Sequence, residues 1–497
     1  MTGKSLLHNI AESANPVFIK EMRQYFQNRR MLFFIGIMLL VQFVFTIFFS
    51  SATAFSYDAG KGVTFFLLII CAGAILSVLI CALGAGFRFE EERSDKELNY
   101  TMLTTLKPSS VILGKLEGAM MMLLCIFSLL LPFLTAAYFM RGISVASLLL
   151  VIILFPALVM GSLFGILAGA FGKRWITILY LVGMFNFILG IIPFWFTVAR
   201  EVMTASATTP AVWTAIAIEY GLALLFGILI FLISAAVIAP PKSNRLFAVK
   251  IYIFCLPFIT LGALLATTPL GLPNDALFIL ECLFTACAIS TMLLMAFFEP
   301  PEAGIRVYMK CPRNITGRIF HFIFSTGYTG SIILAILLML IPAGLFPFMG
   351  FSRPGTVVFR GFLCILLTGL NASLLSILLA WRFKLLRPWI WAIIFHFGAN
   401  AAVLLAAVYC EGFDNLPKAA VGLILTLSPA YTLLEMMKTG FSGSSNSPLS
   451  YGMFYSGIVS GLLLLALLPT FFRSFKLHRR PSESEAIKTP TPEMLKK

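Results

Sequence analysis

The feature that most constrains this chain is a repeated run of about 20 consecutive apolar residues, the length needed to cross the hydrocarbon of a bilayer as a helix. Twelve such runs are legible, near 31–54, 63–87, 116–140, 145–172, 175–198, 212–239, 249–272, 276–298, 321–349, 356–381, 388–410 and 452–472. A further stretch, 419–434, is shorter and carries Pro429, so it reads as re-entrant rather than spanning. Composition agrees: 60% of the 497 residues are hydrophobic and only 11% are charged, which excludes a water-soluble enzyme. The predicted fold class is therefore all-α, a polytopic membrane protein.

The net charge of +15 reports orientation rather than a nucleic-acid partner. With twelve spans and both termini cytoplasmic, 29 of the 36 Lys and Arg fall on the inner side and seven on the outer. Letting 419–434 cross fully would change that to 23 against 13, so the positive-inside rule selects twelve spans. Trp175, Trp381, Trp389 and Trp391 fall at inner ends and Trp195 and Trp213 at outer ends, as in an aromatic belt. The expected location is the inner membrane of the cell.

Four segments follow. Residues 1–30 form a cytoplasmic amphipathic elbow, in which Asn15-Pro16 suits an N-cap and first helical position. In it Phe18, Met22, Tyr25 and Phe26 line one face, and Lys20, Arg23, Gln24 and Gln27 another, which suits the inner leaflet of the bilayer. Residues 31–240 hold a first six-span half and 241–472 a second; 473–497 is a cytoplasmic tail expected to be disordered. In each half a long inner loop follows the second span, 88–115 and 299–320, so the repeat is one of topology.

Loop 88–115 gathers acidic residues against the trend of the inner side. Glu90, Glu91, Glu92, Arg93 and Lys96 form its charged part; Leu98, Met102, Leu103 and Leu106 then make an apolar helical stripe that ends at Lys107-Pro108. In the second loop, Pro312, Gly317 and Arg318 faintly echo Pro108, Gly114 and Lys115.

These two regions resemble the permease subunits of type-2 ATP-binding-cassette (ABC) exporters. Such permeases open with an Asn-Pro basic elbow, here Asn15, Pro16, Lys20, Glu21 and Arg23. After the second span they carry a pattern of the form E-R-x-x-G-T-L-E-x-L-L-x-T-P-L with a following Gly-Lys. Glu92, Arg93, Leu98, Leu103, Thr104, Leu106, Gly114 and Lys115 carry it here, while Lys96, Glu97, Asn99 and Thr105 depart from it. The resemblance implies that 88–115 contains a coupling helix on which a separate cytoplasmic ATPase docks. It also implies that ATP, the one cofactor of such a system, is bound by that partner. It leaves a second permease copy open.

No phosphate-cradling GxxxxGK[ST] loop exists in the chain, which therefore reads as a transporter subunit without catalytic residues of its own. Charges inside spans are the default functional candidates in a bilayer; Glu219, Glu281 and Arg360 are such charges, and would line a path or pair across helices. His396 and Asn400 lie four residues apart, reminiscent of one class of intramembrane proteases, but a hydrogen bond between packed helices accounts for them more economically. The nine Cys contain no CxxC pair and imply neither disulfides nor a metal site. The alternatives to an ABC permease are an ion- or proton-coupled secondary transporter and a non-transporting scaffold.

Overall fold

A computed structural model of the chain describes residues 15–27, 29–53, 65–70, 72, 73, 77, 80, 81, 84–95, 106–139, 150–172, 210–240, 243–267, 285, 288–293, 299, 305–345, 353–383 and 448–478. Most of these residues are helical, with no strand among them. The chain divides into two units, Met1–Ala239 and Pro240–Lys497.

The first unit contains α1 (Pro16–Gln27), α2 (Arg29–Thr53), α3 (Gly84–Ser94), α4 (Pro108–Phe139), α5 (Leu150–Ala170) and α6 (Pro210–Ile238). Asn15 caps α1: its Oδ1 accepts from the Val17 amide at 3.1 Å, and Pro16 takes the position that needs no amide hydrogen. Helix α4 begins at Pro108, so Gly114 and Lys115 lie on the first two turns of a 32-residue helix rather than in a loop. At 1.5 Å per residue it is about 48 Å long, more than the hydrocarbon requires. Pro132 interrupts its ladder, and the Thr135 hydroxyl donates to the carbonyls of Leu131 and Pro132.

Small residues bring these helices together. A Cβ on Gly114 would meet the Val17 Cβ at 2.7 Å and the Phe18 amide nitrogen at 2.9 Å; one on Gly118 would meet the Glu21 Cβ at 3.0 Å. The Gly114-x3-Gly118 spacing thus seats α1 directly on α4. The glycine stripe of α5 does the same for α3, since the Gly165 carbonyl lies 2.9 Å from where a Gly86 Cβ would be. Val17, Ala85, Phe89, Val111, Ile112, Ile166, Ala170 and Ile238 close one core among α1, α3, α4, α5 and α6.

The second unit contains α7 (Phe247–Thr267), α8 (Ile305–Met309), α9 (Ile315–Phe324), α10 (Tyr328–Leu345), α11 (Arg353–Phe383) and α12 (Pro448–Leu477). Asn371 on α11 joins α12 from within apolar surroundings: its Nδ2 donates to the Ser456 carbonyl at 3.1 Å, and its Oδ1 accepts from Ser460 at 2.6 Å. The run expected as one straight span at 321–349 is broken. Helices α9 and α10 meet at 94° across Ser325-Thr326-Gly327. α12 also continues past the expected end of its span to Leu477, so the first residues of the tail are helical.

Among the described residues three helices are long and apolar enough to cross a membrane, within Pro108–Phe139, Phe362–Leu379 and Tyr451–Lys476, or four if the α9/α10 pair is one span. Shorter apolar helices lie at Ile35–Phe48, Leu158–Ala170, Ala223–Ile238 and Phe247–Gly262. The outward faces fit that solvent: Leu462 and Leu465 of α12 and Phe43 and Phe48 of α2 are exposed. The runs expected at 175–198 and 388–410 and the stretch 419–434 lie outside the described residues, as does most of 276–298.

Candidate functional site

In the first unit, charged side chains from three helices converge at the ends of α3 and α4. Lys115, buried on α4, donates to Glu21 of α1 and, at 2.7 Å, to Glu92 of α3. The other Glu92 oxygen accepts from Lys20 of α1 at 2.8 Å. Arg88 of α3 lies 3.5 Å from Glu21, donates to the Gln24 side chain, and covers the Tyr25 ring at 4.2 Å. The Asn15 side-chain amide donates to the Ser110 carbonyl at 2.7 Å, and the Lys115 ammonium covers the Phe89 ring at 4.6 Å. Beneath this layer lies the apolar core around Phe89 and Ile112. Lowered dielectric strengthens the enclosed Lys115 pairings and makes loss of either costly, while Lys20 lies at the more exposed rim.

The arrangement ties three segments into one body. The end of α3 is joined to the elbow through Glu92–Lys20 and Arg88–Gln24, and to α4 through Glu92–Lys115. Arg93 lies against Gly172, whose φ of +64° closes α5, so the same end of α3 also abuts a fourth helix.

Burial lifts the Glu92 carboxyl, but the Lys115 ammonium with its hydrogen bond, and then Lys20, outweigh it and hold the group below the usual carboxylate range. A carboxyl held low in the folded chain adds stability above its unfolded value of about 4.3 and loses that contribution as pH falls through the lower folded value. The clamp is thus intact at neutral pH and loosens only in acid. Thermal unfolding of the wild type between pH 7 and pH 3 should show this loss, and Glu92→Gln should flatten that part of the profile.

The residues singled out from sequence fall into three groups. Asn15, Lys20, Glu21, Glu92, Gly114 and Lys115 meet directly, Glu90 is buried beside them, and Pro16 starts the elbow. Arg23 on α1 is exposed, as is Glu91 on α3. Lys96, Leu98 and Leu103 lie outside the described residues, as do Glu281, His396 and Asn400; Glu219 is on α6 and Arg360 on α11. The elbow's buried stripe is Val17, Glu21 and Tyr25, whereas Ile19 and Phe26 are exposed. Its apolar face is therefore split: Tyr25 turns to α4 and Phe26 outward.

Sequence reasoning missed a second cluster, in the second unit. Lys250 and Glu299 form a fully buried ion pair at 3.0 Å. The Lys250 ammonium also donates to the carbonyls of Ser325 at 2.6 Å and Gly327 at 3.2 Å. Glu299 accepts from the Gly327 amide and, at 2.6 Å, from the Ser331 hydroxyl. Asn244 accepts from the Thr326 amide at 3.0 Å. The break between α9 and α10 frees backbone groups, and this pair satisfies them. The only signal in the sequence was a single Lys and a single Glu at the ends of two apolar runs, which the positive-inside reading absorbed as loop charges.

A third grouping joins the end of α12 to α9. His321 Nδ1 lies 2.8 Å from His478 Nε2, and Cys311 Sγ is within 4.8 Å of the imidazole nitrogens. Arg318 donates to the carbonyls of Phe475 at 2.7 Å and His478 at 2.6 Å, closing the carboxyl end of α12.

No family model matches the chain, and neither curated proteins nor solved structures give a match.

Proposed function

We propose that the chain is the transmembrane permease subunit of an ABC transport system, an exporter with twelve spans and both termini cytoplasmic in the inner membrane. A separate ATPase docks on 88–115. The observation that carries this reading is the clamp of Glu92 with Lys115, Lys20 and Glu21. A segment pushed by a motor transmits force only if it is fixed to what must move, and α3 is fixed to α4 through the enclosed Glu92–Lys115 pair and to the elbow through the more exposed Lys20. The exposed residues at the same end, Glu91, Ser94 and Asp95, are the surface left for the ATPase. ATP binding by the partner would close it against this surface and swing α3, α1 and α4 together.

A second reading, a secondary transporter, has one observation in its favour. Lys250 and Glu299 surround an interrupted helix, and interrupted helices are where such transporters bind ions. Transport in inverted vesicles separates the two. The permease reading expects export to require ATP and to survive collapse of the proton gradient; export that survives ATP depletion and stops on collapse of the gradient would overturn it.

A further inference from the structure

Three metal-ligating side chains from distant positions in the second unit meet at one place, and nothing in the transport reading uses them. Cys311 precedes α9, His321 is on α9 and His478 follows α12. We propose that Cys311, His321 and His478 bind a transition-metal ion of the zinc class through one thiolate and two neutral imidazoles, with a fourth position left for water or a further ligand.

The donor set selects the metal. One sulfur and two imidazole nitrogens suit zinc and its neighbours and disfavour magnesium and calcium, which take oxygen ligands. Geometry agrees. With bonds of about 2.3 Å to sulfur and 2.0–2.1 Å to nitrogen, a tetrahedral ion holds its two nitrogens about 3.3 Å apart and its sulfur about 3.6 Å from each. The imidazole nitrogens stand at 2.8 Å and the sulfur lies inside a 4.8 Å envelope, so the rings part by about half an ångström and the sulfur closes by at most about 1.2 Å.

The site is also held in advance. Tyr308 and Phe322 pack edge-on against the buried His478 ring, with centroids at 5.2 and 5.3 Å, and Arg318 pins the His478 carbonyl. The proton balance is simple. The hydrogen now shared by the two rings moves to an outer ring nitrogen, both facing lone pairs bind the ion, and the thiol proton is released to solvent. The bound ion would fasten the end of α12 to the segment before α10.

Cobalt(II) titrated into the full chain in detergent tests this, because a thiolate ligand gives cobalt an intense ultraviolet charge-transfer band that zinc then displaces. The proposal expects that band in the wild type and in Cys125→Ser, and its loss in Cys311→Ser of unchanged helical content. It also expects binding at least about tenfold weaker in His478→Asn. No band in the wild type, or a band that persists in Cys311→Ser, overturns the proposal. Should Cys311→Ser fail to fold, the wild type suffices: zinc should shield Cys311 from iodoacetamide, and equal labelling with and without zinc overturns the site.

Discussion

Glu299→Ala is expected to destabilise the second unit by about 3–5 kcal/mol, the range for removing one partner of a buried ion pair. Both members of the pair are fully enclosed. Without the carboxylate, the Lys250 ammonium keeps only the Ser325 and Gly327 carbonyls, which carry no compensating charge, while the Gly327 amide and the Ser331 hydroxyl lose their acceptor. The effect should go beyond stability. The pair bonds the backbone of residues 325 and 327, so a cysteine placed at Thr326 should react faster with a thiol reagent in the Glu299→Ala background. The double change Lys250→Met with Glu299→Leu removes both charges and should recover part of the loss, leaving the unsatisfied backbone of the break as the residue of the cost. Unfolding in detergent followed by the accessibility of that cysteine checks both statements. A silent Glu299→Ala would mean that the pair does not hold the break.

Lys115→Met is expected to cost about 3 kcal/mol in the first unit, at the low end of the same range because Glu21 keeps Arg88 and Glu92 keeps Lys20. Methionine fills the volume of the lysine stem above Phe89, so the loss isolates charge from packing. Adding Glu21→Gln should restore only part of the stability, because it removes the carboxylate that lost Lys115 but takes from Arg88 its carboxylate partner. It should not restore coupled function, since the link from Glu92 to α4 is still missing. That split between recovered fold and unrecovered function distinguishes a transmitting clamp from a merely structural one, and comparing the melting transition with transport in the same vesicles reads it.

How much of this was legible beforehand depends on the range of the interaction. Local signals carried well: Asn15-Pro16 forecast a capped start and the structure has one, and Gly165 and Gly169, four residues apart in the fourth apolar run, pack against Gly86. Low polarity with long apolar runs forecast helices suited to a membrane. What sequence could not show was which charges turn inward. Glu92 and Lys115 are 23 residues apart and Glu21 is 94 from Lys115, so no periodicity within one helix brings them together. Spacing of three and four along α1 suggested a lipid face containing Tyr25, but the notch cut by Gly114 and Gly118 draws the Tyr25 stripe onto α4 instead. The 94° break at 325–327 left a local trace, the non-apolar run 325–331 (STGYTGS), inside a run otherwise long enough to span. What the chain did not show is that Lys250 and Glu299, both distant in sequence, supply the bonds to its backbone.

The central claim is that the exposed end of α3 receives an ATPase. The most direct measurement is to purify the chain from its native membrane in mild detergent, assay the preparation for ATP hydrolysis, and repeat it with Glu91→Lys and Asp95→Lys, exposed positions that leave the Glu92–Lys115 clamp intact. The account predicts a co-purifying ATPase subunit whose hydrolysis falls severalfold, or whose association is lost, in the charge-reversed variants of unchanged stability. A chain that purifies without an ATPase, in membranes whose transport continues when ATP is exhausted and a proton gradient remains, would contradict it.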